Sequence, residues 1–434
     1  MPYHPSKRLP GERASRLGHL DIIENELVKK LLESFESDPI ESIQTDAKWN
    51  EIPEGPKPLS IIFGVDGSFQ IVESDRPPYR RLVYVKTALL KMDFVSLSKL
   101  DKDSPHPLMI RDMISDWAVY HATVFPLRHI HVEGKNLYDT IREVIYYSLK
   151  DEKLEGEPFE TLKWLAYEKW TDKKRNLPSF QCPNCRCDEA TLPFDTDKGF
   201  CPKCKGEIFL TDYMGFHQDL GEDVAPDKVA NAYMLIHELL ILFTGIRYLW
   251  QTNKELLKEC LFIKDGPLYL WSQYAKLVFP IRRFFEFARK QGYPIHLLGQ
   301  EKSGRFFDHL EIINKGIAGG QYFIPDDSYI KKEIQQRPDI GNPYGERTNF
   351  GSKLFVKVNN YHQMVVSIPI GEFKVNPELS DFVGIERIFA TIPNILSSKY
   401  EGALLPIELA HGIASLSTYP SAKILKIFSE SKIS

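Results

Sequence analysis

Two Cys-x-x-Cys pairs constrain this chain more than any other feature. Cys182-Pro-Asn-Cys185 is followed, after fifteen residues, by Cys201-Pro-Lys-Cys204. Two such knuckles can set four thiolates tetrahedrally around one Zn2+, at the spacing of a zinc ribbon. Proline after the first cysteine favours a tight turn that aims backbone N–H groups at sulfur. Cys187 is a fifth thiol in the same stretch and reads as a bystander, while Cys260 stands apart. Clustering of this kind points to metal before disulfides, and a redox pair would need one knuckle, not two facing ones. A four-thiolate site is coordinatively closed. The ribbon is therefore expected to staple an insertion, with a DNA- or protein-contacting ribbon as the alternative. Lys173, Lys174 and Arg175 beside it could meet phosphate or simply be solvated.

The remainder is long enough to build a core without staples. The chain has 434 residues, 43% hydrophobic and 26% charged, which excludes a disordered or fibrous protein and suits two or three domains, or one large domain carrying insertions. A binder that coats phosphate over a whole face is usually basic, so at a net charge of −4 any contact with nucleic acid is expected to be local. The first twenty residues lack the apolar run of a secretory signal. Leu239–Trp250, interrupted by Gly245 and Arg247, is expected to be too short to span a bilayer. A cytoplasmic protein with no membrane partner is the expectation.

Periodicity supplies the elements. Leu20–Phe35 reads as an amphipathic helix. Residues 59–72 read as a buried strand, an Asp-Gly-Ser corner and a strand leading outward, with Leu82–Leu90 as a further strand. Asp112–Pro126 and Leu137–Leu149 have helical spacing. A long helix is expected from Asp227, its cap, to Trp250. Strands are expected at Cys260–Lys264 and Ile295–Gly299, with a helix between them running to Lys290. Residues 320–350 look like a surface excursion, Phe355–Val358 and Met364–Pro369 like a strand pair, and Leu404–Leu416 like the last helix. Together these give an α/β chain in which strands and helices are interspersed. The divisions are an N-terminal helical extension (1–55), a first core part (56–150), the inserted zinc module (151–225) and a second core part (226–434).

Two Asp-Gly steps each follow a buried strand: Val65-Asp66-Gly67-Ser68 and Lys264-Asp265-Gly266-Pro267-Leu268. A carboxylate at such a place is costly unless a cation neutralises it, and the glycine leaves room beside it. Either alone would be an ordinary turn; together they suggest a shared metal site. Phosphodiester hydrolysis commonly uses one or two divalent ions held by carboxylates and imidazole from separate elements. Glu238, in a helix among Leu235, Ile236, Leu239 and Leu240, is the third candidate, with His237 as a competitor. His411 adds a nitrogen donor, which suits Mn2+ at least as well as Mg2+. Lys302 and Arg305 could hold a phosphate. No G-x-x-x-x-G-K-[ST] loop is present, so ATP chemistry would have to come from a partner.

The ordered set VDGS at Asp66, KDGPL at Asp265, GQEKSGRF at Gly299 and LPIELAH ending at His411 resembles the NurA family of DNA-end-processing nucleases. The resemblance spans roughly residues 59–415. It implies an RNase H-like core, a mixed central sheet flanked by helices, and Mn2+-dependent cleavage of DNA, from 5′ ends and within single strands. It also implies a homodimer working with a HerA-type hexameric ATPase, in DNA repair or phage defence. By motif, Asp66, Asp265 and His411 match the family's metal-site residues, and Glu238 matches its helical glutamate. The family's tyrosine before the histidine has only the displaced Tyr400 as a counterpart, and the zinc ribbon is an addition to the pattern. The rival reading is a non-catalytic zinc-ribbon adaptor for DNA or protein.

Overall fold

The computed structural model describes residues 22–35, 47–93, 118–221, 227–337, 341–397, 399, 402–416 and 420–433. Residues 1–46 and 47–434 are two units. In the first, Asn25 caps helix α1 (Glu26–Ser34) by accepting from the N–H groups of Leu27 and Val28. Residues 22–24 are helical as well, so the expected helix is interrupted at Asn25, and its expected start at residues 20 and 21 lies outside the described ones.

The second unit is built on a nine-stranded sheet. Its strands are β1 (Asn50–Glu51), β2 (Ile61–Glu73), β3 (Arg81–Asp93), β4 (Ala118–Arg128), β7 (Cys260–Asp265), β8 (His296–Glu301), β9 (Gln321–Phe323), β10 (Ser352–Lys357) and β11 (Gln363–Ile368). They lie in the order β1-β9-β10-β11-β8-β7-β2-β3-β4. β2, β7 and β8 run parallel and every other pairing is antiparallel. The link from β4 to β7 carries α2 (Leu137–Leu149), α3 (Glu157–Ala166), the hairpin of β5 (Lys198–Phe200) and β6 (Glu207–Phe209), and α4 (Lys228–Thr252). Further along come α5 (Val278–Lys290), α6 (Arg305–Ile313), α7 (Ile385–Thr391), α8 (Leu405–Ala414) and α9 (Ser421–Ile433).

The sheet is covered on both faces. α2, α3, α4 and α5 pack one face around Phe125, Phe159, Tyr233, Phe243, Phe262 and Phe284. α7 and α8 pack the other around Ile62, Leu261, Ile263, Leu354, Ile388 and Ile407. Central strands buried on both faces read as continuous apolar runs, which is why Cys260–Ile263 carries no alternation. α4 is long and apolar enough to cross a membrane, with a mean hydropathy of 1.6, but 72% of its most apolar window is buried inside the protein. Its apolar side chains share one core with the sheet, α3 and the cysteine-bearing insertion, as expected of a helix that is apolar all round.

Several expectations need correction. β2 has no Asp-Gly-Ser corner: it pairs with β3 without interruption from Ile61 to Glu73. Ala118–Arg128 is a strand, not helix, because its β-branched and aromatic residues continue the β3 ladder; residues 112–117 lie outside the described ones. Asp227 makes no side-chain cap and instead pairs with Arg81 at 3.1 Å. Residues 320–350 do not merely skirt the surface. They contribute β9, and Phe323, Tyr329, Ile330 and Ile334 form a small core with α6. α9 follows the helix expected to be the last and is tied to β3 by Tyr84 and Ser429, 2.7 Å apart.

β2 and α8 meet backbone to backbone. A Cβ added at Gly64 would lie 2.6 Å from the Pro406 carbonyl oxygen, a backbone atom that cannot swing aside. Gly64→Ala should therefore lower stability by about 1–3 kcal/mol, read from the urea midpoint. Gly245→Ala, in α4 and 3.5 Å from Phe262, meets only ordinary contact and should be neutral or stabilising.

Candidate functional site

Strand alternation decides which of the candidate side chains can meet. On β2, Phe63, Val65 and Gly67 face α4, whereas Ile62, Gly64 and Asp66 face α8. On β7, Phe262 and Lys264 face α4, and Ile263 and Asp265 face α8. The two strands are parallel with Val65 opposite Lys264, so Asp66 and Asp265 follow side by side on the α8 face.

Asp66 is buried. Its Oδ2 lies 2.8 Å from Nδ1 of His411, and its Oδ1 accepts from the Gly67 N–H at 2.7 Å. Burial, and then the charge of Asp265, raise its carboxyl above the usual range, against the pull of the Gly67 N–H and His411. His411 is 60% exposed, so the pair is enclosed at the carboxylate and open to solvent at the imidazole. Asp265 ends β7, half-buried, with Oδ1 2.9 Å from the Lys302 ammonium. Arg305, the first residue of α6, is exposed nearby in sequence.

Glu238 arrives from the opposite face. It reaches the sheet where Gly67 leaves a gap: a Cβ there would lie 2.6 Å from Glu238 Oε1 and from Met234 Cγ. Its Oε2 is 2.9 Å from the ammonium of Lys264, which also donates to the Asp265 carbonyl at 2.7 Å. Burial pushes the Glu238 carboxyl up to about 7; Lys264 opposes this, while Asp66 and Asp265 add to it. Asp66, Asp265 and His411 thus share one face, and Glu238 is coupled to them by charge through the Gly67 backbone. His237, the neighbouring competitor, turns away to bond Thr87 Oγ1 at 2.7 Å and stack on His121.

Two contributors were not singled out from sequence. Lys264 is a lysine inside an apolar strand, and that anomaly was visible in CLFIKD. Gln300 was not visible in the same way, although it lies within GQEKSGRF. Its buried side chain accepts from the Leu404 N–H at 3.2 Å and donates to the Gly402 carbonyl, while its own carbonyl accepts from Gly266 at 2.7 Å. One residue therefore fixes both the end of β7 and the entry to α8. Tyr400 lies outside the described residues.

The cysteine module has clear geometry. Cys182 and Cys204 sulfurs are 3.8 Å apart, as are those of Cys185 and Cys201. That is the edge of a tetrahedron with metal–sulfur bonds of about 2.3 Å. N–H groups of Asn184 and Gly206 point at Cys182 and Cys204 sulfur, each at 3.4 Å. Each knuckle closes with a left-handed residue, Arg186 or Lys205. Among the described residues this is the one group of three or more His, Cys, Asp or Glu whose ligand atoms all lie within 4.8 Å of one another. The four thiolates could hold a structural zinc; the carboxylate set does not meet that spacing. Cys187 sits against the cluster, 3.4 Å from Cys185. The module has no separate core, since Cys182, Ala190, Leu192, Cys201 and Ile208 belong to the α4-side cluster. Arg142 of α2 clamps it through Asp212 at 2.8 and 3.0 Å.

No protein-family model and no curated protein sequence matches the chain.

Two outcomes test this geometry. Elemental analysis should find one zinc per chain, lost in Cys201→Ser and kept in Cys187→Ser. For Glu238, the folded chain keeps a proton up to about pH 7 that the unfolded chain releases near its ordinary 4.5. Wild-type stability should therefore decline as pH rises through that window, relative to Glu238→Gln, by about 1–3 kcal/mol. A constant difference between the two proteins from pH 4 to 8 would contradict the assignment.

Proposed function

We propose that the chain is a Mn2+- or Mg2+-dependent deoxyribonuclease of the NurA kind. The observation that carries this reading is the juxtaposition of Asp66 and Asp265 on adjacent parallel strands, with His411 bonded to Asp66 from the helix across them. The strand run β4-β3-β2-β7-β8 supports an RNase H-like core: three antiparallel strands in succession, then two parallel strands beside the first. The GQEKSGRF segment adjoins LPIELAH at this site, as Gln300 holds Leu404, the residue just before it.

The donor set fits a hard divalent cation: carboxylate oxygens with one imidazole nitrogen, and no thiolate. Asp66, Asp265 and His411 would hold the ion, and Glu238 would adjust the local charge from behind Gly67 or join them. When bound, such an ion lowers the pKa of water and stabilises the departing oxygen of a phosphodiester. The chain's own contribution is to orient Asp66 through the Gly67 N–H and His411. It also neutralises Glu238 with Lys264 and offers Lys302 and Arg305 to phosphate. The same reading carries DNA as substrate, a homodimer, and a HerA-type ATPase as the source of translocation.

One observation favours the non-catalytic adaptor: Glu238 and Asp265 each already have a lysine partner. Cleavage of linear and single-stranded DNA in Mn2+ against EDTA separates the two. In Asp66→Asn and Asp265→Asn, cleavage should fall at least about 100-fold, with the unfolding midpoint unchanged or, for Asp66→Asn, raised. Near-wild-type Mn2+-dependent cleavage in either variant would overturn the nuclease site.

A further inference from the structure

We propose that Lys302 exchanges partners, holding Asp265 in the ion-free protein and turning to a substrate phosphate once a divalent cation takes that carboxylate. The inference rests on the nuclease reading and adds to it a coupling between ion and DNA.

The two lysines on the candidate acids differ in how firmly they are held. Lys264 and Glu238 are each 3% exposed, and the lysine is also anchored to the Asp265 carbonyl. Removing either partner would strand a buried charge, so this pair is fixed. Lys302 and Asp265 are 37% and 31% exposed. Ion pairs in contact with water are weak and readily replaced.

The position of Lys302 suits exchange. It follows the last residue of β8 and precedes Gly304, whose φ of 94° marks a sharp turn into α6. Its backbone is thus fixed by the strand, while its four-carbon stem is free to swing. Its ammonium sits on Oδ1, an oxygen that Asp265 would offer to an ion. An arriving divalent cation competes for that atom and repels the ammonium. The released group has three donors and the exposed Arg305 three residues away, and a DNA phosphate is the anion that the site's chemistry brings within reach. Linkage makes the effect reciprocal: the cation strengthens DNA binding, and DNA strengthens cation binding, by the same factor.

The test uses the full chain, with Ca2+ as the probe ion. Calorimetry gives Ca2+ affinity for wild type, Lys302→Met and Lys302→Arg, and anisotropy gives binding of a labelled single-stranded oligonucleotide with and without Ca2+. Lys302→Met should bind Ca2+ about two- to fivefold more tightly, having lost the competing ammonium. It should also lose at least half of the Ca2+-dependent gain in oligonucleotide affinity, and its salt slope should fall by about 0.7. Lys302→Arg should retain the gain. Unchanged Ca2+ affinity in Lys302→Met, or an undiminished gain, overturns the exchange alone. A wild-type chain that binds neither Ca2+ nor Mn2+ overturns the metal reading beneath it.

Discussion

The central strand is gripped from both faces, and the grip depends on glycine. At Gly64 the Pro406 backbone of α8 comes so close that no side chain fits, and at Gly67 the Glu238 and Met234 side chains of α4 occupy the space a Cβ would take. Between them stands Asp66, facing α8 and bonded to His411. A side chain at Gly64 would hold α8 off the sheet, and one at Gly67 would displace the Glu238 and Met234 side chains. Asp66 would then lose its imidazole partner and Glu238 its place beside the strand. The spacing of the whole site follows from this close packing of backbone against helix.

Charge is arranged with the same economy. Each candidate acid has a cation or a potential cation from the chain itself: His411 on Asp66, Lys302 on Asp265 and Lys264 on Glu238. Unpaired, a buried carboxylate would cost several kcal/mol. The fold can therefore form before any ion is bound, and Asp265 stays close enough to Asp66 and Glu238 to raise their proton affinity. The pairs are graded by access, from the sealed Lys264–Glu238 contact to the solvent-touched Lys302–Asp265 contact.

The cysteine module is joined to this core more intimately than an insertion requires. Its thiolate cluster is backed by residues of the same hydrophobic cluster that α4 organises. The buried Arg142–Asp212 pair and the Tyr138 bond to the Pro183 carbonyl tie it to α2. Zinc held by the thiolates would order a segment whose short β5–β6 hairpin has little stability alone. It would also brace α2 and, through the shared core, α4 with Glu238.

Much was determined by the sequence alone. The two knuckles define the four-thiolate site because ligand spacing is local chemistry. Leu137–Leu149 appears as a helix with those bounds because its Asn136 cap and apolar period agree. Asp66 and Asp265 were legible as a pair because each carboxylate follows an apolar run. What required tertiary structure was face and distance. Nothing local told that Gly67 is a window and not a turn, since β2 stays extended only because β3 pairs with it throughout. Nothing local told that Ala118–Arg128 would be a strand, because the β3 ladder supplies the hydrogen bonds that outweigh its apparent helical period. The side of the sheet on which Glu238 lies is set by the crossover from β4 to β7, more than a hundred residues of chain. Sequence named the residues with the right chemistry; packing sorted them onto two faces of one sheet.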